Sequence, residues 1–144
     1  MSNVVESLNT VLADAIVFYQ KLHQYHWVVT GRQFFSLHAK FEELYDHWAE
    51  VIDDVAERVL TIEGKPVPTL AEALKLTTLK EDATEPPAET MVRTVLADMQ
   101  TQRDHMQTAI AAAEANDDRG TANLLDGFCD EIEKTCWMLK AFLA

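Results

Sequence analysis

The chain has 144 residues, 48% of them hydrophobic and 25% charged, which fits one globular domain spanning residues 1–144 and excludes a disordered or fibrous chain. With 12 Lys and Arg against 24 Asp and Glu, the formal net charge is -12, so the body repels nucleic acid and anionic membrane at long range and attracts cations. Four glycines and four prolines are too few for a turn-rich all-β protein, and no apolar run approaches the ~18 residues of a membrane span.

From Val4 to Val29, apolar residues recur in steps of three and four, which predicts an amphipathic helix ending before Gly31. A second helix runs from Phe34 to Ile62 and stops at Gly64, ahead of Lys65-Pro66-Val67-Pro68. Thr69 is placed to cap a short helix through Leu76, and Asp82 to Pro87 breaks the chain again, with Pro87 suited to a first helical turn. Met91, Val95, Met99, Met106, Ile110 and Ala113 mark a third long helix; Asn116 to Gly120 reads as a loop, and Ala122 to Leu143 as the last helix. No strand-like alternation competes. The expected fold is all-α, a four-helix bundle whose long crossover between helices two and three contains the short helix.

Cys129 and Cys136 lie seven residues apart on the last helix, with Cα atoms ~10 Å apart, so they form no disulfide within it. They read as small packed residues in a reducing cytoplasm, and the N-terminal residues lack the basic and apolar regions of a signal peptide.

The second helix carries two stripes. With His38 at zero on a wheel of about 100° per residue, Leu37, Phe41, Leu44, Trp48, Val51, Val55 and Val59 fall at about 220° to 340° and face the core. A separate sector, from about 0° to 100°, holds Phe35, His38, Ala39, Glu42, Asp46, Ala49, Asp53, Ala56, Glu57 and Leu60. His38 with Glu42, and Asp53 with Glu57, are i, i+4 pairs, each able to address one metal ion. Glu42 and Asp53 are about 16 Å apart along the axis, so one straight helix cannot bring both pairs to one centre.

A second copy of the helix, antiparallel about a two-fold axis, can do so. With the axis between His47 and Trp48, residues whose numbers sum to 95 oppose each other. His38 then meets Glu57, Glu42 meets Asp53, Ala39 meets Ala56 and Phe35 meets Leu60. This register predicts two equivalent metal sites at a dimer interface. The opposing reading of this face is a solvated acidic surface with one incidental histidine. A lone histidine on a core stripe, as His26 is, reads first as a satisfied buried residue. His23, a turn earlier, either joins a site or faces water, and His47 and His105 read as surface residues. Imidazole and carboxylate donors suit iron, manganese or zinc better than magnesium or a soft metal. No Glu is followed three residues later by His, so a di-iron centre inside one bundle is not supported.

The run from His26-Trp27 through Gly31, Phe34-Phe35, Leu37-His38 and Phe41-Glu42-Glu43-Leu44-Tyr45 resembles the signature of the Dps miniferritins. Asp53-Asp54-Val55-Ala56-Glu57-Arg58 and Glu133-Lys134 with Trp137-Met138-Leu139 extend the resemblance over nearly the whole chain. The resemblance implies a ferritin-like subunit in a hollow homo-dodecamer, with an iron-oxidising centre between two-fold-related copies. His26, His38 and Glu42 would come from one copy and Asp53 and Glu57 from its partner. Family members more often carry Asp at the place of Glu42, whose longer side chain is expected to alter the second, weaker metal position. The implied reaction is oxidation of Fe(II) by hydrogen peroxide, or by oxygen, with ferric mineral stored in the cavity.

Trp27 and Trp48 resemble aromatic residues beside such centres, with plain packing as the alternative. Glu114, Asp117, Asp118 and Asp126 are candidate pore residues, weakened as a funnel by Arg119 and Asn123. Some relatives bind DNA through lysine-rich tails; neither end of this sequence is basic, so weak or no DNA binding is expected. The competing readings are a DNA-compacting structural protein and a helical interaction module with a degenerate metal site.

Overall fold

The computed structural model describes all residues from Met1 to Ala144. Five helices follow one another: α1 (Ser2–Val28), α2 (Phe34–Thr61), α3 (Leu70–Leu76), α4 (Ala88–Ala115) and α5 (Arg119–Leu143). The fold is the expected all-α bundle. The tight α1–α2 turn uses Gly31 at φ +106°, a left-handed conformation that a side chain would strain. The α1–α2 and α4–α5 hairpins meet where α1 packs on α4.

The threes-and-fours periodicity becomes one continuous core. Leu8, Phe18, Leu22, Phe41, Trp48, Met99, Met106, Leu125 and Ile132 are all essentially inaccessible. The predicted core stripe of α2, from Leu37 to Val59, is buried along its length. Cys129 and Cys136 are free thiols buried in α5, as expected from their spacing.

The crossover is pinned to α1 by three polar side chains in chain order. Asn9 donates to the Lys65 carbonyl and accepts from Val67 N–H, at 2.9 and 3.1 Å. Asp14, fully buried, accepts from Thr77 Oγ1, Thr78 N and Thr78 Oγ1. Tyr25 donates its hydroxyl to Asp82 at 2.6 Å. Residues 65 to 82 therefore run alongside α1 in its own direction, which carries the chain back to start α4. Thr69 caps α3 by accepting from Glu72 N–H, as its position predicts.

Four expectations are corrected. The segment Asn116 to Gly120 is not wholly a loop, because α5 begins at Arg119 with Asp118 as its cap, accepting from Thr121 N–H at 3.2 Å. Pro87 occupies the cap position itself, and Ala88 is the first helical residue. His105 is not a plain surface residue: its Nδ1 lies 2.8 Å from Asp14 Oδ2, so it closes the buried Asp14 cluster from α4. His47 is half-buried, with its Nε2 2.9 Å from Glu131 Oε2 of α5 but not in hydrogen-bonding geometry.

Candidate metal centre

At the α1–α2 turn, the structure brings His26, His38 and Glu42 together. The imidazoles of His26 and His38 stack with centroids 3.8 Å apart and planes 12° from parallel. Each Nδ1 lies 2.7 Å from the other residue's backbone carbonyl oxygen. A carbonyl only accepts, so both Nδ1 atoms carry the proton and donate. In the neutral ring this tautomer puts the lone pair on Nε2, the form in which imidazole ligates a metal. His26 is buried and His38 half-buried, with Phe34 stacked on the outer face of His38 at 4.9 Å. His26 is thus buried, as its place on the core stripe predicts, with its Nδ1 hydrogen-bonded and its Nε2 directed toward Glu42.

Glu42 Oε1 is 3.7 Å from His26 Nε2. That is too long for a hydrogen bond and within the ~4 Å spanned by two metal–ligand bonds of about 2.0 to 2.2 Å. Around this half-site stands an aromatic wall. Tyr45 meets the His26 ring edge-on at 5.3 Å and stacks on His23 at 3.7 Å. His23 Nδ1 donates to the Tyr19 carbonyl at 2.8 Å, so His23 packs in the wall instead of simply facing water. The Tyr45 phenol is held above its ordinary range by its surroundings, then by the charges of Glu42 and Asp46. Trp27 is exposed and lies 5.6 Å from His23. Trp48 is a core residue, buried against Phe18 with its Nε1 donating to Gln102 Oε1 at 2.8 Å.

The other half-site lies toward the far end of α2. Asp53, Asp54 and Glu57 are exposed, and each offers a carboxylate oxygen within 4.8 Å of the others. The Glu57 carboxyl is raised above the usual range, first by a hydrogen bond with Asp53 and then by its charge. Two carboxylates competing for one proton are what a divalent cation would relieve. Asp54 was not singled out from the sequence, although its place beside Asp53 was the available signal. The two halves do not meet within one subunit. The flanking residues Phe35 and Leu60 are 84% and 59% exposed.

Of the candidate pore residues, Glu114, Asp117 and Asp126 share a groove with Arg119 and Asn123. Asp118 stands apart: it is buried and committed to Arg58 and Thr121.

The fold and this donor set define a class. A ferritin-like domain model matches residues 5–144, so the chain belongs to the ferritin-like family. Its relatives place it in the Dps group of that family. It is 45% identical to DNA protection during starvation protein 2 of Bacillus anthracis, over 97% of this chain and 96% of that one. It superposes on the crystal structure of Dps from Staphylococcus aureus with a TM-score of 0.97 at 38% identity, covering 100% of this chain and 97% of that one. A Vibrio cholerae Dps structure, described as a member of a broad superfamily of ferritin-like diiron-carboxylate proteins, matches at TM-score 0.96 and 32% identity, over 99% and 90% of the two chains.

Proposed function

We propose that this protein oxidises Fe(II) and stores the ferric product, at centres built between two copies of α2 and inside a shell of twelve subunits. The observation that carries this reading is the stacked His26–His38 pair. Its reciprocal hydrogen bonds engage both Nδ1 atoms and leave the His26 Nε2 facing Glu42 Oε1 at 3.7 Å. A packed pair gains the same Nδ1 hydrogen bonds, so it is the His26 Nε2 beside Glu42 that favours a ligand role.

In this reading the metal is substrate, held by His26, His38 and Glu42 of one copy and by Asp53 and Glu57 of its partner. Carboxylates are hard donors that favour Fe(III) over Fe(II), so the product state is stabilised. Hydrogen peroxide takes up two electrons and two protons to give two water molecules. Two Fe(II) ions supply the two electrons, so no one-electron oxygen species need be released. Zinc and manganese share these donor preferences and are the expected substitutes. Storage of iron in this way would limit oxidative damage. A net charge of -12 argues against DNA compaction as the main role and for weak DNA binding at physiological salt.

The test is anaerobic addition of Fe(II) and then peroxide, followed by ferric absorbance. His38→Ala and Asp53→Ala are each expected to slow oxidation by at least ~10-fold. Oxidation at the wild-type rate in both variants would sink the site assignment.

A further inference from the structure

Arg58 follows Glu57 directly and sits four residues after Asp54. On a free helix surface an Asp–Arg pair at i, i+4 is the natural ion pair. Such a pair would place a guanidinium among the carboxylates of Asp53, Asp54 and Glu57. The structure shows something else. The Arg58 side chain crosses to the start of α5, where Nε donates to Thr121 Oγ1 at 3.0 Å and Nη2 donates to Asp118 Oδ1 at 2.8 Å.

The seat is shaped for it. A Cβ at Gly120 would stand 2.5 Å from Arg58 Nη2 and 2.7 Å from its Cζ, so the guanidinium lies flat on the glycine backbone. Asp118 is itself fixed by accepting from Thr121 N–H and the Thr121 hydroxyl. Asp54, Glu57, Arg58, Thr61, Gly120 and Leu124 line one groove between α2 and α5, so seated and released arginine would occupy the same small region.

We infer that the Asp118–Gly120–Thr121 start of α5 parks the Arg58 guanidinium away from Asp54, keeping the acidic half of the metal centre open to cations. Arg58 and its seat are thus positioning residues for Asp53 and Glu57. The inference rests on the proposed use of Glu57 as a ligand. Gly120 is then kept for the arginine, not for the backbone, because it lies within a helix that alanine would favour.

The test is zinc titration of the assembled, metal-free protein by calorimetry, with thermal unfolding alongside. Gly120→Ala evicts the flexible end of Arg58; it is expected to weaken zinc binding about three- to fivefold, the size of one surface charge interaction, and to lower the unfolding temperature through the lost Arg58–Asp118 pair, a loss that Arg58→Gln does not restore. Asp118→Asn keeps a capping oxygen but loses the charge and should do the same. Arg58→Gln added to either variant should return the affinity to the wild-type level or above.

Unchanged affinity in Gly120→Ala and Asp118→Asn overturns the inference, and so does a loss that Arg58→Gln fails to reverse. Glu57→Gln separates the two readings. If it leaves zinc binding unchanged, the ligand assignment has failed; if it abolishes binding while Gly120→Ala does not weaken it, only the parking of Arg58 has failed.

Discussion

At the scale of single residues, a proton competes with a cation for the acidic half-site. Glu57 shares that proton with Asp53, which raises its carboxyl above the ordinary range. A raised folded value means the folded chain holds a proton that the unfolded chain has already released. Folding stability attributable to this group is therefore present below the unfolded value and fades as pH rises through the raised one. Divalent affinity should change in the opposite sense, rising with pH through that same window as the proton stops competing. Asp53→Asn should shift the dependence of the remaining affinity to lower pH, which zinc titrations at stepped pH would reveal. If the pH dependence stayed in place, Asp53 would not be the cause. Cys129 provides a simpler check. Burial pushes its thiol up to about 11, and burial likewise raises Cys136. Both should resist iodoacetamide near pH 8 in the native protein and react fully once it is unfolded.

At the scale of elements, the polar pins under the crossover carry more weight than the exposed ion pairs. Asp14 has no exposed surface and serves Thr77, Thr78 and His105, joining α1 to the crossover and to α4. Asp14→Ala leaves these donors without their acceptor, at an expected cost of ~3 kcal/mol and an unfolding temperature lower by about 10 °C. A change within ~1 °C at equal protein concentration would show that the crossover is held by its apolar contacts instead. Asp14 also marks where periodicity stops being informative. The four long helices, the short helix after Thr69 and the buried stripe of α2 were all legible, because burial repeats with the helical turn. Asp14 sits between Ala13 and Ala15, and a pattern of apolar spacing cannot tell that its partners arrive from 63 and 91 residues away. The same holds for His105, whose partner lies 91 residues away in the chain. The start of α5 was missed because Asp117, at φ 56°, and Asp118 read as turn formers, whereas only the second caps a helix. At the site, the i, i+4 pairs of α2 were visible, but the mutual fixing of His26 and His38 was not, since it needs the two backbone carbonyls of a turn between helices.

At the scale of the whole molecule, the register of α2 makes a prediction that no single-subunit site can satisfy. Take one variant that lacks a ligand in the first half-site, His38→Ala, and one that lacks a ligand in the second, Asp53→Ala. Each alone has every centre damaged. In a two-fold pair made of one copy of each, one centre combines both damaged halves. The other combines both intact halves and is wild type, because in the proposed register each centre takes His26, His38 and Glu42 from one copy and Asp53 and Glu57 from the other. With equal, random mixing, half of the pairs are mixed and half of their centres are whole. Co-expression should therefore restore about a quarter of wild-type Fe(II) oxidation, against almost none for either variant alone. A centre confined to one subunit gives no recovery at any ratio. Phe35→Asp supplies the complementary measurement. Phe35 is 84% exposed and opposes Leu60 in the register, so a charge there should split the pair in light scattering and abolish the recovery in the co-expressed protein. Recovery that survived loss of the pair would place the shared centre at some other contact between subunits.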